Sequence, residues 1–193
     1  MVKRIKEDVG SKLGQFIVYS DYTGEYAYSY LLQQPRNKSI NKSLTEYMDI
    51  NQNNCLNLCA SRVDANPNYL LLADNLISRG IAVDKSNIFG IDPMYNCLRD
   101  KSNKLYSDNT KKLAKILVDN GVQIVKYLDL IKENSRFDVL EEVLPSIDEN
   151  DLQECVKKLR GTVIYNQLVS YIEKNSLSKM LLSGEDKKGI LKI

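Results

Sequence analysis

The sequence predicts an all-α fold, a helical repeat solenoid of helix–turn–helix pairs with short hairpin loops and a divergent helical C-terminal cap. Three observations predict it. A unit of loop, short apolar helix, connection, second apolar helix and Gly-ended turn occurs twice between Asp49 and Ile124. The two closing glycines, Gly80 and Gly121, lie about 41 residues apart, a period typical of helical repeats. Apolar residues fall at matching places in the two closing helices, Leu76-Ile77 in one copy and Leu117-Val118 in the other, as on the buried face of a helix.

The copies align at several positions at once. The first opens at Asp49 with DINQNNCLNLCA and closes with LADNLISRGIAVD; the second opens at Asn87 with NIFGIDPMYNCL and closes with LAKILVDNGVQI. Leu56 matches Met94, Cys59 matches Cys97, and Leu76-Ile77 match Leu117-Val118. The openings resemble the ankyrin repeat, whose signature is D-x-x-G-x-T-P-L-H-x-A. Gly90, Pro93 and Met94 fit it in the second copy, with Asp92 for its Thr and Tyr95 for its His. Asp49, Asn54, Leu56 and Cys59 fit it in the first, with Gln52 in place of Gly and Cys55 in place of Pro. Both copies exceed the usual period of about 33 residues, and the excess falls between the helices, at 61–68 and 99–109.

Taken in order, residues 1–15 read as polar and frayed. Residues 16–48 read as a degenerate N-terminal repeat: Asp21, Gly24, Tyr26, Ala27, Tyr28 and Leu31 suit a repeat opening, and Pro35 ends the helix they begin. A partner helix follows over Asn41–Tyr47. In the repeat at 49–86, Cys55, Leu56, Cys59 and Ala60 form the apolar stripe of the first helix. Pro67 suits the start of the second, and Gly80 closes it in the left-handed conformation. In the repeat at 87–127, Asp92 caps the helix that Pro93 begins. Leu113, Ala114, Ile116 and Leu117 give its second helix a buried face, closed by Asn120-Gly121. A further degenerate repeat over 128–147 has helices at Tyr127–Lys132 and Asp138–Leu144, stopped by Pro145. The cap, 148–182, has a helix started by Asp148 or Asn150, then Gly161, then a helix over Val163–Glu173. Atypical terminal units are expected of a stacked array, and the tail GEDKKGILKI reads as mobile.

Composition bounds the function. Hydrophobic residues make up 43% and charged residues 27%, ordinary for a globular domain, and the net charge is +2. That balance points to neither nucleic acid nor membrane as partner. No apolar run reaches the roughly 18 residues of a membrane span, and the N-terminus lacks the apolar core of a secretory signal. The four cysteines, Cys55, Cys59, Cys97 and Cys155, fall mostly on apolar helix faces, which suits reduced thiols in a cytoplasmic setting. Abundant Asn, Lys, Ile and Tyr suit an AT-rich genome, as of a virus or host-associated bacterium.

The chain contains no histidine, which removes Ser-His-Asp and Cys-His catalysis and imidazole metal ligands. Neither a P-loop nor a dinucleotide fingerprint is present, so no cofactor is expected. Cys55 and Cys59 share a helical face as a metal pair would, but buried free cysteine ordinarily packs as a small apolar residue, and no metal is expected. The carboxylates Glu141-Glu142 and Asp148-Glu149 lie on solvated faces, as do Lys111-Lys112 and Lys157-Lys158. The tyrosines at 19, 22, 26, 28 and 30 lack the interleaved basic residues of a single-strand-binding surface.

The resemblance implies a non-catalytic scaffold that binds another protein through its concave face of hairpin tips and inner helices. Mapped onto matching positions, that face comprises Ile50, Asn51, Asn53, Ser61 and Arg62 from one repeat, and Ser86, Ile88, Phe89, Ile91, Arg99 and Asp100 from the next. Ile88 and Phe89, an apolar pair at a hairpin tip, read as an interaction anchor. Gln52 in place of Gly sets the first hairpin apart. Two alternatives stand beside this: a host-range or virulence effector acting on a host protein in the host cytoplasm, as divergent viral and bacterial ankyrin proteins do, and an enzyme using Asp/Glu, Tyr or Lys chemistry outside the clear repeats.

Overall fold

The computed structural model describes residues 8–20, 25–99 and 108–175. Every regular element among them is helical. They are α1 (Val9–Gln15), continuing into a π-helical turn over Phe16–Ser20, α2 (Glu25–Gln33), α3 (Lys38–Glu46), α4 (Cys55–Ala60), α5 (Asn68–Ser78), α6 (Pro93–Leu98), α7 (Asp108–Asp119), α8 (Leu128–Glu133), α9 (Phe137–Val143) and α10 (Glu149–Lys158). A 3-10 turn over Ile124–Tyr127 leads into α8, and another over Leu144–Ser146 follows α9. A last helix, α11, runs over 165–175.

Packing sorts these helices into two rows. In one, α1 and its π-turn pack on α4, and α4 packs on α6; in the other, α2 packs on α5, α5 on α7 and α7 on α9. Cross-row pairs α4–α5, α6–α7 and α8–α9 close each unit. The second-row helices bury the same pattern: Leu72, Ala73 and Leu76, then Leu113, Ala114 and Leu117, then Val139, Leu140 and Val143. In the first row Leu56 and Cys59 are followed by Met94 and Cys97, while α8, packed on α9, buries Leu128 and Ile131. Leu76 and Leu117 therefore lie in one continuous core, as the periodicity predicts. Ile116 is only half-buried.

The helix ends follow local chemistry. Asn54, Asp92 and Asp148 each accept a hydrogen bond from the backbone N–H three residues on, so Asp148 rather than Asn150 starts α10. Gly80 and Gly121 have φ of 90° and 98°, and the N–H of the next residue returns to the Leu76 and Leu117 carbonyls. Pro67 directly precedes α5.

The N-terminal quarter departs from expectation in two ways. Residues 9–15 are a docked helix, not a frayed strand of polar chain. Asp8 caps it, Leu13 is fully buried, and α1 lies against α3. Its contact face is made of glycine: a Cβ on Gly10 would stand 2.2 Å from the Ser43 carbonyl oxygen, and one on Gly14 2.2 Å from Tyr47 Cζ. A hydrophobic pattern cannot announce a face built by close backbone approach. Consequently α2 takes the second-row position against α5, and α3, expected as its partner, covers α1 instead. The tail from 176, and with it the end of the expected cap, lies outside the described residues.

Buried polar side chains tie unit to unit. Arg79, at the end of α5, donates from Nη2 to the Leu31 and Gln34 carbonyls at 3.2 and 3.1 Å, and so caps α2. Arg136 is fully buried; it donates to the Cys97 carbonyl at the end of α6 and is held by Asp138 at 3.0 Å. Asn134 donates to the Leu98 carbonyl, and Thr110 to Asp64. Helix C-termini leave carbonyls without intrahelical partners. Here Arg79, Asn134 and Arg136, each later in the chain, supply donors to the ends of α2 and α6 and tie those helices to the ones that follow.

Candidate functional site

The best-defined feature outside the core is a pair of hairpin tips, residues 49–53 and 87–91. They share their turn bond for bond. Asp49 accepts from the N–H groups of Asn51 and Asn53 at 2.8 and 2.7 Å. Asn87 accepts from Phe89 and Ile91 at 2.9 and 3.0 Å. Asp49 N–H donates to the Asn53 carbonyl, and Asn87 N–H to that of Ile91. The fourth residue of each tip has positive φ, 60° at Gln52 and 75° at Gly90. The first tip thus keeps its shape without glycine, because the Asp49 carboxylate holds two backbone N–H groups and the Asn53 amide besides.

The tips are fastened to each other and to α4. Ile88 N–H donates to the Asn51 carbonyl at 3.1 Å, and Asn87 Nδ2 to Asn53 Oδ1 at 2.9 Å. Below them, Asn54 and Asn57 donate from their amides to the Ala82 and Lys85 carbonyls at 3.2 and 2.8 Å. Asn54 and Asn57 are both buried, so this footing is part of the core. With the Asp49, Asn53 and Asn87 side chains engaged within the tips, aliphatic and aromatic surface stands out beside the exposed Gln52. Ile50 is 94% exposed, Phe89 69% and Ile88 54%.

The other expected face residues divide. Asn51, Asn53 and Ile91 are half-buried parts of the tips, and Ser86 is exposed beside them. Arg62 is committed to structure: it donates to the Val18 carbonyl at 3.0 Å, at the π-turn. Ser61, just past the end of α4, donates to the Leu58 carbonyl of that helix. Arg99 is half-buried at the end of α6. Asp100 lies outside the described residues. Sequence reasoning missed the polar scaffold Asp49–Asn53–Asn87; its signal is the Asp or Asn placed three residues before the positive-φ position in both copies.

Chemically reactive groups sit elsewhere and are occupied. Cys55 and Cys59 are buried in α4, and burial, the main cause, pushes both thiols well up. The Cys155 thiol is pushed up to about 11, again chiefly by burial. Among the described residues no three His, Cys, Asp or Glu cluster as metal ligands. Tyr127 donates to Asp92 Oδ2 at 2.6 Å, and its phenol is raised by burial and then by that bond. Asp92 is therefore at once the cap of α6 and the anchor of the α8 unit. Lys111 pairs with Asp108 at 2.8 Å and Lys158 with Glu154 at 3.2 Å, both within one helix face. Of the tyrosine run, Tyr30 meets Phe16 edge-on at 5.1 Å, with Lys12 over its ring, and Tyr28 packs on the core. Tyr22 and the side chains of Tyr19 and Tyr26 lie outside the described part.

Among the described residues no helix is long and apolar enough to cross a membrane. Comparison of the chain with family models, with curated proteins and with solved structures finds no match.

Proposed function

We propose that this chain is an ankyrin-like helical repeat scaffold without catalytic function, and that it recognises a partner protein through its two hairpin tips. One observation carries the reading. The tips engage the Asp49, Asn53 and Asn87 side chains internally, on a buried asparagine footing, and hold Ile50, Ile88 and Phe89 out in solvent. Exposing three large apolar side chains on a rigid mount contributes nothing to folding. A preorganised apolar centre with the polar Ser86 beside it has the anatomy of an interface core and rim. The exposed Ser86 extends the same face, whereas Arg62 belongs to the packing between units.

The test is a peptide-display selection on the wild-type protein, with the recovered peptides titrated against wild type and an Ile50→Ser, Ile88→Ser, Phe89→Ser variant. The expected result is at least a thirtyfold loss of affinity in the variant, from the hot-spot threshold of about 2 kcal/mol. Its melting temperature should stay near that of wild type, because surface substitutions cost within about 0.5 kcal/mol each. Peptides that bind both proteins equally, or a variant that melts far below wild type, would show that the tips serve packing and that recognition lies elsewhere.

A further inference from the structure

The two tips are successive rungs of one ladder, and the ladder ends on an unfilled acceptor. Ile88 N–H fills the Asn51 carbonyl. One unit further along, the carbonyl in the place of Asn51 is that of Phe89, and among the described residues it accepts no hydrogen bond. The rung is empty because the loop that would fill it is missing. Residues 79–92 join α5 to α6 and carry the second tip, whereas only Asn120 to Gln123 join α7 to the 3-10 turn at Ile124. The side-chain half of the ladder stops at the same point: Asn53 accepts the amide of Asn87, but the residue in its place in the second tip is Ile91, which offers no acceptor. What remains at the place of Asn51 is a backbone acceptor set among Ile88, Phe89 and Ile91. Water satisfies an exposed carbonyl, yet it leaves the apolar side chains of Ile88 and Phe89 uncovered.

Resting on the reading of the tips as a docking surface, we propose that the partner supplies the third rung. The occupant is an aliphatic hairpin tip of a partner protein. It donates one backbone N–H to the Phe89 carbonyl and places a β-branched side chain where a third tip would place its counterpart of Ile88. The template is within the molecule, since the second tip engages the first through this same bond. Recognition of this kind draws affinity from main-chain hydrogen bonding and selectivity from the side-chain positions beside it. A segment with proline at the donating position is rejected, because it has no N–H to give.

The probe is a cyclic peptide carrying the chain's own second tip, Ser86 to Pro93 (SNIFGIDP), titrated onto isotope-labelled full-length protein and followed by NMR. A second peptide replaces the amide of its Ile88 counterpart with an ester, which removes the donor and little else. The first peptide should shift the Phe89 carbonyl carbon and the Gly90 amide, and the ester should bind about three- to tenfold more weakly, the range of one backbone hydrogen bond. Equal affinity of the two peptides, shifts centred away from residues 88–91, or no shift at millimolar peptide would overturn the proposal. The outcome is separable from that of the docking surface itself. If both peptides bind equally and Phe89→Ser abolishes both, the apolar tips remain a docking surface and the ladder fails. If the ester discriminates while display-selected peptides ignore the three serine substitutions, the rung stands and the tips are not the anchor.

Discussion

Replacing Gly10 with alanine tests the least anticipated contact of the fold. Gly→Ala ordinarily stabilises a helix by about 0.5–1 kcal/mol in its interior and by less in the first turn, where Gly10 lies, because glycine loses more backbone entropy on folding. Here the new methyl would stand 2.2 Å from the Ser43 carbonyl oxygen and 2.7 Å from Tyr47 Cβ. The first neighbour is backbone and cannot rotate aside, so α1 must move away from α3 by roughly 1 Å to restore ordinary contact. Such a shift loosens Leu13 and breaks the 2.9 Å bond from Gly10 N–H to Ser43 Oγ. Overpacking of this kind costs about 1–3 kcal/mol. Against the intrinsic gain, the net expectation is a loss of about 1–2 kcal/mol, or about 2–8 °C in Tm for a chain of this size. Gly14→Ala meets the Tyr47 ring instead, which is a half-buried side chain that can swing, so its cost should be the smaller. Urea unfolding of both variants measures the difference. A Gly10→Ala protein as stable as wild type, or more so, would refute the docking of α1 on α3.

Two further outcomes are expected. Gln52→Gly should stabilise the protein by about 0.5–1 kcal/mol, since a non-glycine residue at positive φ costs about 1–2 kcal/mol and glycine returns part of that as chain entropy; a loss of stability in chemical denaturation would mean that the Gln52 side chain is needed where it stands. Asp119 accepts from Lys115 Nζ at 2.8 Å and from Ser146, and these bonds, that of Lys115 first, hold its carboxyl below the ordinary 3.8. A depressed folded-state pKa contributes stability above the unfolded value, and that contribution is lost as pH falls through the folded one. Asp119 is 43% exposed, so screening keeps the effect below about 1 kcal/mol. Asp119→Asn should therefore be slightly less stable than wild type at neutral pH and equal to it once the pH has fallen below the lowered folded-state value; a gap that persists beyond that point would assign the cost to packing.

The sequence alone determined the helices whose signals are local. Asp92 before Pro93 starts α6 because a carboxylate and a ring with no N–H suit a helix N-terminus, and Gly80 and Gly121 end α5 and α7 because left-handed φ is open to them. The period that sets Leu76 beside Leu117 in one core is likewise written in the chain. Tertiary structure alone decided what depends on partners distant in sequence. Gly10 and Gly14 gain meaning only from Ser43 and Tyr47, so α1 reads as polar chain until α3 lies on it. Arg62, exposed by pattern, is drawn to the Val18 carbonyl because helix ends need donors, and Gln52 holds a glycine conformation because the Asp49 carboxylate fixes the turn around it. The exposure of Ile50, Ile88 and Phe89 follows from that same fixing: once the tip spends its polar groups on itself and on its neighbour, its apolar side chains have nowhere to go but outward.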